Sequence, residues 1–339
     1  MVRVPGGEPR AGTSVPRPGW DRVCDPRRVT LVIDSLTKRF GQVVALDRVG
    51  FSVEPGEIFG FLGANGAGKT TLMRIVLDIL RADSGSVAWG GRPNTELPRR
   101  TFGYLPEERG LYPRMRVLDQ LVFFAGLYGV PAPEARRAAL EWLERFRASD
   151  LAGRRADELS KGNQQKVQFI AAILHEPEVV LMDEPFTGLD PVNVSLLRAA
   201  FVELAAEGRT LIFSTHQMEV VESLAGAIAI IDRGRLVTGG RIRDVRRRAG
   251  RPVVRLAVEG DHDLAWAAAL PGVRFLRSAP DVSEWTVEPG TDPQTILQAA
   301  LARGAAVTCF EIADASLEDV FIQLVGRSFD AGTPVEPAA

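Results

Sequence analysis

The run Gly63-Ala64-Asn65-Gly66-Ala67-Gly68-Lys69-Thr70 fits G-x-x-x-x-G-K-[ST] at every fixed position. Its chemistry is the capture of a polyphosphate. Glycines let the backbone curl until consecutive N–H groups point inward at phosphate oxygens. A helix beginning directly after such a turn aims the positive end of its dipole at the same place. Lys69 supplies a point charge to the β- and γ-phosphates, the Thr70 hydroxyl is a candidate Mg²⁺ ligand, and Thr71 adds one more N–H at the helix start. A chance glycine turn would lack the right flanks. Here the apolar Phe59 to Leu62 precedes the loop and an amphipathic helix pattern follows it to Leu77, the context that the motif requires.

Binding becomes hydrolysis only with a base. Val179-Val180-Leu181-Met182-Asp183-Glu184-Pro185 is an apolar run that ends in two carboxylates. Such a run suits a central parallel strand buried on both faces, and α/β sheets bind ligands at the carboxyl ends of their strands. Asp183 is placed to reach the Mg²⁺ shell. Glu184 alternates to the other side of the chain, where it can polarise an attacking water as general base. Acidic turns after strands are common, so this element gains its meaning from the phosphate loop upstream.

Between the two lies Leu159-Ser160-Lys161-Gly162-Asn163-Gln164-Gln165-Lys166. Ser160 is a good helix N-cap, and helical periodicity runs from Gly162 to Leu174. A second helix N-terminus thus offers donors to an anion. This stretch resembles the LSGGQ signature of ATP-binding cassette (ABC) ATPases, with Lys161 at the third position and Asn163 at the fifth. Thr187-Gly188-Leu189-Asp190 resembles that family's D-loop, and Ser214-Thr215-His216, after the buried Leu211 to Phe213, resembles its switch-histidine segment. Phe40 stands where the family places the aromatic that stacks on adenine. The resemblance covers about Thr30 to Gly240.

The resemblance implies a fold, partners and a place. The fold is α/β, a P-loop NTPase cassette with a parallel core sheet, an antiparallel β subdomain and a helical subdomain, followed here by a small C-terminal α+β domain. ATP and Mg²⁺ are the implied ligands. The phosphate loop, Glu184 and His216 of one chain would meet Ser160 and Gly162 of a second, with Asp190 at the seam, so the partners are a homodimer of ATPase subunits and an integral membrane permease. The protein would then lie at the cytoplasmic face of the cell membrane and power export. A soluble ABC-type ATPase acting on the ribosome or DNA is the alternative. One position departs from the family. Where a Gln follows Leu-Pro, touching Mg²⁺ and facing the permease, this chain has Glu107 in Tyr104-Leu105-Pro106-Glu107-Glu108-Arg109-Gly110-Leu111-Tyr112. That form resembles one branch of bacterial exporters, including sodium-efflux-type ATPases.

Composition agrees. In 339 residues, Lys+Arg 41 against Asp+Glu 43 leaves a formal net charge of -2, which gives no global field for nucleic acid. Cys24 and Cys309 show no metal or redox spacing. No apolar run approaches the ~20 residues of a membrane span. The Pro-, Gly- and Arg-rich start has no apolar signal core and reads as a disordered tail over 1–28. The cassette is expected over 29–240, an Arg-rich helix and linker over 241–252, an accessory domain over 253–327 and a tail over 328–339. The accessory pattern is strand 253–258, helix 262–270, strand 273–278, strand 283–288, helix 292–302 and strand 306–311, the split βαβ order. A last helix follows from Ser316 to Val325. His175 and His262 lack a motif and are expected to face solvent.

Overall fold

The computed structural model describes residues 30–325 apart from 109, 250, 261–263, 279–281 and 289. The expected tails and His262 lie outside the described residues. Strands β1 (Leu31–Phe40) and β2 (Val43–Val53) form a long antiparallel hairpin. Strand β3 (Ile58–Leu62) then enters a second sheet and leads through the glycine turn into helix α1 (Lys69–Val76). Strands β4 (Ser84–Trp89) and β5 (Arg92–Pro93) complete the antiparallel sheet, in the order β2-β1-β4-β5.

The second sheet adds β6 (Phe102–Leu105). Helices α2 (Val117–Leu127), α3 (Ala132–Arg145) and α4 (Lys161–Ile173) form the helical region, and α4 returns the chain to β7 (Val179–Asp183). Helix α5 (Pro191–Ala206), β8 (Thr210–Thr215), α6 (Met218–Leu224), β9 (Ala227–Asp232) and β10 (Arg235–Arg241) follow. The strand order is β10-β9-β3-β8-β7-β6, with every neighbour parallel except β10.

Its parallel strands are buried on both faces, as their continuous apolar runs require. Residues alternate between two cores with the period of two that a strand imposes. Val180, Met182, Leu211 and Phe213 pack on the helical side, whereas Val179, Leu181 and Ile212 pack toward α1 and the antiparallel sheet. Each such side chain contributes about 1.5–3 kcal/mol of burial. The pairing Leu105↔Met182, Asp183↔Ser214 and Leu62↔Thr215 brings four strand ends level. Every residue that the sequence singled out for phosphate chemistry on this sheet sits at or just beyond those ends.

After β10 the Arg-rich stretch is no solvent-spanning linker. It forms helix α7 (Ile242–Ala249), and Ile242 and Val245 are buried in the main core. The accessory sheet comprises β11 (Val253–Val258), β12 (Val273–Ser278) and β13 (Ser283–Val287), then α8 (Gln294–Ala302) and β14 (Val307–Ala313). Its order, β12-β13-β11-β14, is antiparallel throughout and is the arrangement that a split βαβ unit gives. The helix expected over 262–270 is reduced to a short 3₁₀ turn at Ala267–Ala269. Leu264 has a left-handed backbone, φ 46, which a right-handed helix does not accept, and Pro271-Gly272 stops any continuation. Helix α9 (Leu317–Val325) ends the described chain. Its Leu317, Val320 and Phe321 are buried with Val221 of α6 and Val245 of α7.

Candidate nucleotide and hydrolysis site

The phosphate loop is shaped by close approach. Gly68, φ 108, carries its Cα hydrogens where a Cβ would stand 2.4 Å from the Ala45 carbonyl oxygen, and a Cβ on Gly63 would stand 2.5 Å from that of Ile231. Only glycine fits either place. Asn65 and Gly66 lie exposed at the tip, Ala64 is half-buried, and Ala67 is tucked into the core. Lys69 is almost fully buried, and its Nζ donates to the Gly63 carbonyl at 2.6 Å and the Ala64 carbonyl at 3.3 Å. An ammonium has three donors, so one is left for a phosphate oxygen. Burial pushes the Lys69 pKa down, while Glu184, Asp183 and Glu107 pull it back up.

Asp183 is held from both sides. Thr70 Oγ1 donates to Oδ2 at 2.5 Å, and the Ser214 hydroxyl donates to Oδ1 in a short hydrogen bond. One carboxylate and one hydroxyl do not make an all-protein cation cage, and no cluster of three or more His, Cys, Asp or Glu suited to a metal occurs among the described residues. That donor set fits Mg²⁺, which keeps several waters and takes the rest of its shell from substrate phosphates. Thr70 and Asp183 would hold it. Glu107, on the loop after β6, is exposed and acts electrostatically on Lys69.

Glu184 departs from ordinary strand geometry. Its φ is 50, a conformation that costs a non-glycine residue about 1–3 kcal/mol. Its N–H donates to Ser214 Oγ at 3.1 Å and to the Ser214 carbonyl at 3.1 Å, which stabilises the kink. Phe186, buried against Phe201 and Phe213, anchors the loop from the other end. The carboxylate itself is buried. Thr187 Oγ1 donates to Oε2 at 3.0 Å, and His216 Nδ1 lies 3.1 Å from the same oxygen. Oε1 is also buried but has no hydrogen-bond partner in the protein. A carboxylate with one oxygen fixed and one unsatisfied is suited to receive a proton from a bound water.

The remaining predicted residues stand apart from this cluster. Ser160 is the exposed N-cap of α4, accepting from the Asn163 N–H at 3.3 Å. Asp190 is the exposed N-cap of α5; Asn193 N–H donates to it at 3.0 Å, and this bond lowers its pKa. A Cβ on Gly162 would meet Asn193 Nδ2 at 3.4 Å, so the α4 start lies beside the α5 start. Phe40 ends β1 half-exposed, with Lys38 Nζ 5.5 Å from its ring centroid. Thr71 lies in the first turn of α1; its contact to a nucleotide and the stacking role of Phe40 stay expectations. Sequence reasoning missed the positioning hydroxyls Ser214 and Thr187, though both lie inside quoted motifs. It also missed Tyr104, a half-buried phenol whose pKa is raised by burial and by Asp183, against a lowering influence of Arg74. His175 is a correction. It is buried, stacked on Tyr128 at 3.8 Å, with Nε2 3.0 Å from the Phe102 carbonyl. Held between the Tyr128 ring and the backbone of β6, it does not face solvent.

A parallel sheet with a glycine loop, a buried lysine and an Asp-Glu pair at its strand ends defines a P-loop nucleoside triphosphatase. The ABC transporter family model matches residues 46–187, and an ATP-binding protein DrrA1-3-like C-terminal domain model matches residues 240–325. The ABC transporter ATP-binding protein YhaQ of Bacillus subtilis is 41% identical over 300 residues, 88% of this chain and 100% of the relative. The linearmycin resistance ATP-binding protein LnrL of the same organism is 30% identical, over 88% of this chain and 99% of its own. The Nod factor export ATP-binding protein I of Burkholderia thailandensis is 32% identical, over 86% and 95%. A solved ATP-binding subunit of an ABC transporter superposes with a TM-score of 0.61 at 31% identity, covering 64% of this chain and 92% of that one. The chain belongs to the ABC transporter ATP-binding proteins. It is an ATP-binding, ATP-hydrolysing subunit, and no helix among its described residues is long and apolar enough to cross a membrane.

Proposed function

We propose that the chain is the motor subunit of an exporter, working as an ATP-bridged homodimer at the cytoplasmic face beneath a separate membrane-spanning permease. Within that reading, Lys69 and the loop N–H groups bind the phosphates. Glu184 Oε1 accepts the proton of the attacking water while Oε2 stays fixed by Thr187 and His216. Thr70 and Asp183 would hold Mg²⁺, which would supply positive charge toward the phosphate oxygens. Phe40 offers a flat, half-exposed ring to the base. Glu107 is the loop residue that senses both Lys69 and the permease.

The observation that carries the reading is the split exposure of the motifs. Lys69, Asp183 and Glu184 are buried at the strand ends, whereas Ser160 and Asp190 cap two neighbouring helices that face outward. Outward-facing helix N-termini suit the γ-phosphate of a nucleotide held by another copy. The export direction is supported by the names of LnrL and the Nod factor export proteins. Dimerisation distinguishes this arrangement from a one-chain site. Ser160→Arg should leave ATP binding by single chains intact and abolish ATP-driven dimers on size-exclusion chromatography. Equal dimerisation of variant and parent rejects the shared site.

A further inference from the structure

Helix α9 begins with its capping groups nearly satisfied from within. Asp319 N–H donates to Ser316 Oγ at 3.1 Å, and Ser316 N–H donates back to Asp319 Oδ2 at 3.0 Å. The N–H of Leu317 is one of the donors that an α-helix start leaves without an intrahelical partner. It donates instead to Glu222 Oε1 of α6 at 2.6 Å. A carboxylate at a helix N-terminus makes a charge-assisted bond and also meets the positive dipole end.

The same helix start is tied to two other elements. Arg246 of α7 donates through Nε to the Ala315 carbonyl at 2.6 Å and through Nη2 to that of Asp314 at 3.1 Å. Arg277 of β12 joins Asp319 at 3.3 Å and the buried Glu284 of β13 at 2.8 Å. Leu317, Val320 and Phe321 fill the space beneath, against Val220 and Val221 of α6. The accessory sheet therefore grips α9, and α9 grips α6.

Helix α6 starts at Met218, and one residue separates it from His216. His216 in turn lies 3.1 Å from Glu184 Oε2. A short helix packed as a rigid element carries displacement from one end to the other. We propose that Glu222 is a positioning residue for hydrolysis: its bond to the Leu317 N–H holds α6 so that His216 stays on Glu184, and the C-terminal domain thereby sets the turnover rate. This rests on the reading of His216 as part of the hydrolytic site. Neither Glu222 nor Leu317 touches the phosphate loop or the Asp183–Thr70 pair, so the effect falls on the chemical step and leaves nucleotide binding alone.

The test is a double-mutant cycle on the full-length protein, with kcat and KM for ATP measured after thermal melts confirm that each variant is folded. Glu222→Ala should lower kcat by about tenfold and leave KM unchanged. Glu222→Gln keeps an acceptor oxygen and should hold kcat within about threefold of the parent. In a His216→Ala background, Glu222→Ala should cause no further loss of kcat. Equal losses in both backgrounds, or a rise in KM with kcat unchanged, overturn the proposal while the His216 reading stands. If His216→Ala leaves kcat intact, that reading fails first, and the positioning role falls with it.

Discussion

Thr70 Oγ1 donates to Asp183 Oδ2 at 2.5 Å, so the first turn of α1 and the last residue of β7 share one hydrogen bond across 113 positions of chain. The pair assembles a hydroxyl and a carboxylate at the place where the loop and the sheet converge. Thr70→Val keeps the shape and deletes the oxygen. The Mg²⁺ concentration for half-maximal ATPase should rise about tenfold or more, as loss of a metal-site partner does. An unchanged Mg²⁺ titration would remove Thr70 from the metal shell.

Glu107 brings a negative charge where the family has an amide. It already bears on the Lys69 ammonium. A carboxylate is a hard oxygen ligand and disfavours metal-free nucleotide beside it. The parent should show a steeper dependence of ATPase on Mg²⁺ than Glu107→Gln, with the variant keeping substantial hydrolysis, and Glu107→Ala should lose its contact to the metal and weaken coupling to the permease. Superimposed Mg²⁺ curves for the three proteins would take Glu107 out of the metal shell.

His175 makes stability depend on pH. Its pKa is lowered, first by burial and then by Arg100 and Arg209, against a partial rise from the Phe102 carbonyl. The unfolded chain therefore binds the proton more readily, and stability rises with pH. The contribution is fully present above the ordinary histidine value near 6.5 and is lost as pH falls below it toward the depressed native value. Urea midpoints should drop between about pH 7 and pH 5.5, and His175→Gln should flatten that slope. A variant slope equal to the parent's would reject the assignment.

The polar run around Arg251 invites a cut that would free the cassette. The buried contacts of α9 argue against it. Removing everything after Arg251 strips Leu317, Val320 and Phe321 from Val221 and Val245, and each buried side chain of this kind is worth about 1.5–3 kcal/mol. The fragment should melt well below the parent or aggregate on purification. A fragment that melts at the parent temperature would show that α6 and α7 need no cover.

Much of the site was legible because its chemistry is local. Gly63 to Thr70 is a contiguous loop, and Asp183 and Glu184 end one apolar strand, so residue type and spacing were sufficient. The succession of accessory strands was legible as a split βαβ pattern, though its first helix was not. What escaped was long-range. In α7 the two buried residues, Ile242 and Val245, are outnumbered by arginines, so composition reads as a solvated helix. Nothing near His175 in sequence announces Tyr128 and Phe102. The Glu222–Leu317 bond joins positions 95 apart through a backbone N–H, a donor that no residue type marks. Leu264 took a left-handed backbone that a run of helix formers conceals.

In the proposed motor, Glu184 activates water in a site closed by a second chain. Glu184→Gln keeps the side-chain shape and removes the base. Single-turnover hydrolysis of ATP, followed together with size-exclusion chromatography, tests both parts at once. Hydrolysis should fall by about 10²-fold or more while ATP binding persists, and a stable ATP-bound dimer should accumulate. Near-parental hydrolysis would remove Glu184 as the base, and a variant that binds ATP yet stays monomeric would rule out the shared site.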